Sequence, residues 1–87
     1  MTALPAIRVR VLAFARVREL LGWERQSFEL RSGARTGDLW EALVASQPRL
    51  ADLARVVRLA VNGALTDNAH PLQAGDEVAV LPPVSGG

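Results

Sequence analysis

Residues 7–15 constrain the fold more than any other stretch. Ile7, Val9, Val11 and Ala13 alternate with Arg8 and Arg10, and a period of two carried by β-branched residues marks a strand with one face inward. From Leu12 the second face turns apolar as well, through Leu12 and Phe14. A strand apolar on both faces is either covered twice or borders a partner surface.

The remaining elements follow in order. Residues 16–21 read as a short helix, with Val17, Leu20 and Leu21 at helical spacing and Gly22 as its stop. Trp23 is expected to lid the core. Residues 26–30 form a second strand with Phe28 and Leu30 inward, and Ser32-Gly33 turns the chain out. Thr36 is the expected N-cap of the main helix, with Asp38 in its first turn where the helix dipole favours a negative charge. Leu39, Trp40, Leu43 and Val44 repeat at helical spacing as far as Pro48, and residues 48–53 are read as a second short helical turn.

A third strand is expected over residues 56–61, followed by the hairpin signal Asn62-Gly63 and a return through Ala64 and Leu65. In the turn-rich segment 67–76, His70-Pro71 and Gly75-Asp76 bracket Leu72, a core plug. His70 is read as a turn residue. Residues 77–81 are the last strand, with Val78 and Val80 on one face and Ala79 and Leu81 on the other. Two opening strands, one long helix across one sheet face and a closing strand describe a small α+β roll.

Composition excludes several classes of function. Eighty-seven residues, 49% of them hydrophobic, suffice for one small core. Without cysteine there is no disulfide framework, thiolate metal site or cysteine nucleophile, and a single histidine excludes a histidine-cluster metal site. The net charge is +1, and all ten basic residues are arginines that form no basic block. That argues against nucleic acid. No charged-then-apolar leader is visible at the amino end, and no apolar run approaches the ~20 residues of a membrane span. The expected location is the cytoplasm, with no membrane association.

The chain divides into a body over residues 1–81 and a flexible tail over 82–87. Pro82 and Pro83 forbid helix and remove two backbone donors, so the chain should leave extended. Val84 and Ser85 lead to Gly86 and Gly87, which carry no β-carbon, and Gly87 ends in the α-carboxylate. Six extended residues reach roughly 20 Å at about 3.3 Å each. That length can enter another protein's active site while the body stays outside.

At these residues the chain resembles the small, sulfur-carrying subunit of molybdopterin synthase, a ubiquitin-like β-grasp family. The resemblance is carried by Phe14-Ala15, Arg18-Glu19-Leu20 with Gly22, Val61-Asn62, His70-Pro71-Leu72, Gly75-Asp76-Glu77-Val78 and Pro82-Pro83-Val84-Ser85-Gly86-Gly87. It implies a β-grasp roll: a mixed sheet, one main helix across one face and an extended C-terminal tail. Where the family often has aromatics before the prolines, this chain has Val80 and Leu81, a departure that bears on partner affinity.

The resemblance also implies a chemistry. A partner enzyme adenylates Gly87 with ATP, and a sulfur donor system replaces one oxygen to give a thiocarboxylate. The large synthase subunit receives the tail and moves the sulfur into cyclic pyranopterin monophosphate, in an assembly of two small and two large subunits. The small subunit is then no enzyme by itself and binds no cofactor or metal. Gly86 and Gly87 are its reacting end, and Pro82, Pro83, Val84 and Ser85 bind the partner as the tail enters its channel. Because the first and last β-grasp strands lie side by side and parallel, Phe14 and Leu81 should meet on the sheet face away from the helix. Leu65 is the expected third member of that docking patch. Sulfur carriers for thiazole synthesis or tRNA thiolation share the fold and tail. So do ubiquitin-like modifiers that conjugate through Gly87, and an interaction domain with an inert tail is a further alternative.

Overall fold

The computed structural model describes residues 6–81, so the expectations for the tail at 82–87 lie outside the described residues. Five strands form one sheet: β1 (Ala6–Ala13), β2 (Arg25–Arg31), β3 (Arg58–Val61), β4 (Ala64–Thr66) and β5 (Glu77–Leu81), in the order β2-β1-β5-β3-β4. β1 and β5 pair in parallel and every other neighbouring pair is antiparallel, which makes the sheet mixed. The chain's first and last strands therefore lie side by side at its centre.

The periodicities seen in the sequence become the core. Val9, Val11 and Ala13 from β1 and Val78 and Val80 from β5 are buried on one sheet face. The helix α2 (Thr36–Ser46) lays Leu39 and Leu43 on that face, both fully buried. Val17 from α1 (Ala15–Leu21), Leu50 from a 3-10 helix over Pro48–Leu53, Leu59 and Val61 from β3, and Leu72 complete the cluster. Burying each leucine contributes about 1.5–3 kcal/mol. Trp23 and Phe28 sit at its margin with ring centroids 5.7 Å apart.

Several boundaries differ from the sequence reading, each for a local reason. β1 stops at Ala13, not residue 15. Phe14 is still extended but serves as the N-cap of α1, its carbonyl accepting from the Val17 and Arg18 amides at 3.1 and 3.3 Å. Ala15 then turns into the left-handed region at φ 48°. Thr36 is not the N-cap of α2. That position belongs to Arg35, whose amide donates to the Asp38 carboxylate at 2.8 Å. Thr36 is the first helical residue, fully buried, and its hydroxyl donates to the Asp67 carbonyl. The third strand begins at Arg58 because the Val56 and Val57 amides still donate to the Leu53 carbonyl, both at 3.0 Å.

The Asn62-Gly63 turn has φ of 51° and 88° at its two residues, the left-handed pair that a tight two-residue hairpin requires. The segment 67–72 is pinned to the start of α2. The Thr36 and Gly37 amides donate to the His70 and Asn68 carbonyls, each at 2.9 Å, and the Leu72 amide donates to Ala34 at 2.9 Å. His70 thus serves through its backbone, as its turn position implied.

Candidate functional site: the open sheet face at the root of the tail

The face of the sheet opposite α2 follows from strand register. Val11 pairs with Val78 and Ala13 with Val80 on the core side, so Leu12 and its partner Ala79 point the other way. Ala79 pairs with Ala60, and Ala60 with Leu65. Leu12, Ala79, Ala60 and Leu65 are therefore one apolar row running across four strands. At neighbour spacings of about 4.8 Å the row is roughly 14 Å from end to end. Its shape is a saddle, with a leucine at each end and two methyl groups in the middle. Leu65 is 67% exposed, whereas Ala60 is shielded to 6% by its larger neighbours.

The next row lies towards the tail. Leu81, half-buried, pairs with Arg58 across β5 and β3. Phe14, 42% exposed, continues the alternation one step past β1, which sets it level with Leu81 in the parallel register. Phe14, Leu65 and Leu81 thus occupy one side of the sheet. A shallow depression of about 120 Å³ opens beside Phe14, lined by Leu12, Ala13, Phe14, Arg18, Glu24 and Arg25.

Arginines flank the apolar rows on the β2 side and at Arg58. Arg25 stands across from Leu12 at the β2 end, and Arg8, Arg10 and Arg31 continue along the same face. Arg8 meets Glu29 at 3.7 Å and Arg10 meets Glu77 at 3.8 Å, both pairs exposed. Ala60 and the arginines at 25 and 58 were not singled out in the sequence. Ala60 carries no signal of its own, since its place follows only from pairing with Ala79 and Leu65.

Among the described residues no group of three or more His, Asp or Glu side chains is placed to hold a metal ion. No helix there is long and apolar enough to cross a membrane. Pro82, Pro83, Val84, Ser85, Gly86 and Gly87 lie outside the described residues. Leu81 is the last described residue, in the middle strand of the sheet, and all six follow it directly.

The sequence pattern of the ThiS family matches residues 11–87, from the middle of β1 through the final glycine. The chain belongs to the ThiS family. This ThiS-family chain is 39% identical over 83 residues to the molybdopterin synthase sulfur carrier subunit of Chlamydomonas reinhardtii, covering 93% of this chain and 100% of that one. Its fold is similar to that of a putative molybdopterin converting factor subunit 1 from Pyrococcus furiosus, with a TM-score of 0.82 and 34% identity over 90% of this chain and 99% of that one. It is also similar to a chain in the complex of subunits 1 and 2 of the molybdopterin-converting factor from Helicobacter pylori. There the TM-score is 0.63 with 29% identity, over 93% of this chain and 100% of that one. The ubiquitin-like β-grasp architecture expected of the ThiS-family body is the one observed.

Proposed function

We propose that this chain is the sulfur carrier subunit of molybdopterin synthase. The observation that carries the reading is a family match running through Gly87 on a body whose central strand leads straight into the tail. The relatives named as sulfur carrier subunits support it over full length. The Helicobacter pylori complex supports a large-subunit partner.

In this reading the chain works in the cytoplasm and delivers sulfur without acting as an acid or base. An activating enzyme uses ATP to adenylate the Gly87 carboxylate, which is otherwise a poor electrophile. Sulfide-level sulfur from a donor system then attacks the acyl carbon and displaces AMP, leaving a thiocarboxylate. The large subunit accepts Gly86 and Gly87 through a channel matched to Pro82, Pro83, Val84 and Ser85, two small subunits serving two large ones. Glycine suits the reacting end because a β-carbon would crowd both the adenylate and the attacking sulfur. The body's part is to hold that end in register by docking through Phe14, Leu65 and Leu81.

Intact-mass measurement of the chain isolated from its own cells tests the reading. A carrier shows a population with one oxygen replaced by sulfur at Gly87, and deleting Gly87 removes it together with dithiolene formation by the reconstituted synthase. A chain found only joined to lysines of other proteins, never as the thiocarboxylate, would make it a modifier instead.

A further inference from the structure

The open face carries five arginines, at 8, 10, 25, 31 and 58, against two glutamates, at 29 and 77. Both glutamates are already engaged, by Arg8 and Arg10. Among the described residues, Arg25, Arg31 and Arg58 have no ion-pair partner. The whole chain has a net charge of only +1, so the excess of positive charge is a property of this face.

The positions matter as much as the count. Arg25 faces Leu12 at one end of the apolar saddle, and Arg58 faces Leu81 where the tail begins. A surface pressed onto Leu12, Ala79, Ala60 and Leu65 cannot avoid either guanidinium group. Covering them without a counter-charge strips water from two cations and returns nothing. Carboxylates placed opposite would each accept a forked pair of N–H donors, a geometry that arginine offers and lysine does not.

We propose that the large synthase subunit meets this face with carboxylates opposite Arg25 and Arg58, and with a bulky apolar side chain seated over Ala60 and Ala79. The proposal deepens the functional reading above and rests on it. The arginines at the saddle's margin steer the approach and set its rotation about the tail, while the apolar rows supply the contact area. Such a rim acts mainly on the rate of association and its salt dependence.

The test is the association rate of the full-length chain with its large subunit, measured across a range of salt concentration. Variants Arg25→Glu, Arg58→Glu and the double change are compared with Arg49→Glu. That control makes the same change of charge on an exposed residue of the 3-10 helix, away from the face. Melting curves confirm that each variant is folded. The wild-type rate should fall as salt rises. The double reversal should slow association at low salt by about tenfold or more and flatten the salt dependence, as expected for rim charges. At about 0.15 M salt, where the Debye length is about 8 Å, Arg49→Glu should stay within about twofold of wild type.

Single reversals at Arg25 and Arg58 that associate as fast as the charge-matched Arg49→Glu would overturn the acidic-rim proposal. If Phe14→Ala still weakened binding in that case, the carrier reading would stand. A wild-type chain that does not associate with the large subunit at all would overturn both.

Discussion

Asn62 ties the β3–β4 hairpin to Asp76. Its Nδ2 donates to Asp76 Oδ1 at 2.9 Å, while its own Oδ1 accepts from the Glu77 amide at 3.0 Å. The other Asp76 oxygen accepts from the Gln73 amide at 2.8 Å, and the Asp76 carbonyl accepts from the Arg10 amide at 2.9 Å. Asn62 also sits at φ 51°, where asparagine is tolerated better than most residues. Replacing it tests both roles. Asn62→Gly keeps the backbone and loses the side-chain bonds, at an expected cost of about 1 kcal/mol. Asn62→Ala adds the left-handed penalty and should cost about 2–3 kcal/mol in urea unfolding.

Ala15 is the opposite case, a residue with a β-carbon in the left-handed region at φ 48°, next to exposed Phe14. Relief of about 1–2 kcal/mol of strain outweighs the entropy cost of glycine, about 0.5–1 kcal/mol. Ala15→Gly should therefore raise stability by up to about 1 kcal/mol. Ala15→Val, β-branched, should lower it by more than about 1 kcal/mol. Paired chemical denaturation curves check the difference in sign.

Gly37 lies in the first turn of α2, where helix propensity alone favours alanine by about 1 kcal/mol. An added β-carbon would stand 3.0 Å from the Asn68 carbonyl oxygen. That oxygen cannot easily retreat, because it accepts from the Gly37 amide and its loop is held by the Thr36 hydroxyl and amide. Gly37→Ala should consequently destabilise by about 1 kcal/mol, reversing the propensity expectation. Thermal unfolding reads the sign directly.

Leu43 projects from α2 onto the central valines and is fully buried. Leu43→Ala should cost about 2–5 kcal/mol, much of the stability available to a domain this small. Denaturant midpoints should fall accordingly, or the variant should be unfolded in buffer.

Phe14, Leu65 and Leu81 share the face away from α2, so truncating them removes contact area for a partner more than core. Phe14→Ala or Leu65→Ala should weaken binding to the large subunit by over about 1 kcal/mol with little change in melting. Leu81→Ala, half-buried, should affect both. Titration calorimetry alongside melting curves separates the two effects.

What the sequence disclosed and what it withheld divide along the range of the interactions. The alternation of Val9, Val11 and Ala13, the Asn62-Gly63 turn, the stop at Gly22 and the plug at Leu72 are local patterns, and each appears where its residues place it. Thr36 looked like a cap because its neighbours along the chain fit one, but its hydroxyl is taken by Asp67, 31 residues away. Val56 and Val57 have strand-like side chains, yet their amides finish the preceding turn. Ala60 could not be assigned to the open face from its own character, because an alanine fits either side of a sheet. Only its pairing with Ala79 and Leu65 places it there.

The place of β5 between β1 and β3 has a mechanical consequence. A pull applied at Leu81 along the axis of β5 loads the ladders on both its flanks in shear, so their hydrogen bonds bear force together. A tail attached to an edge strand would peel its ladder one bond at a time. Here a force on Gly87 reaches the sheet through Leu81 and is shared by both ladders of β5.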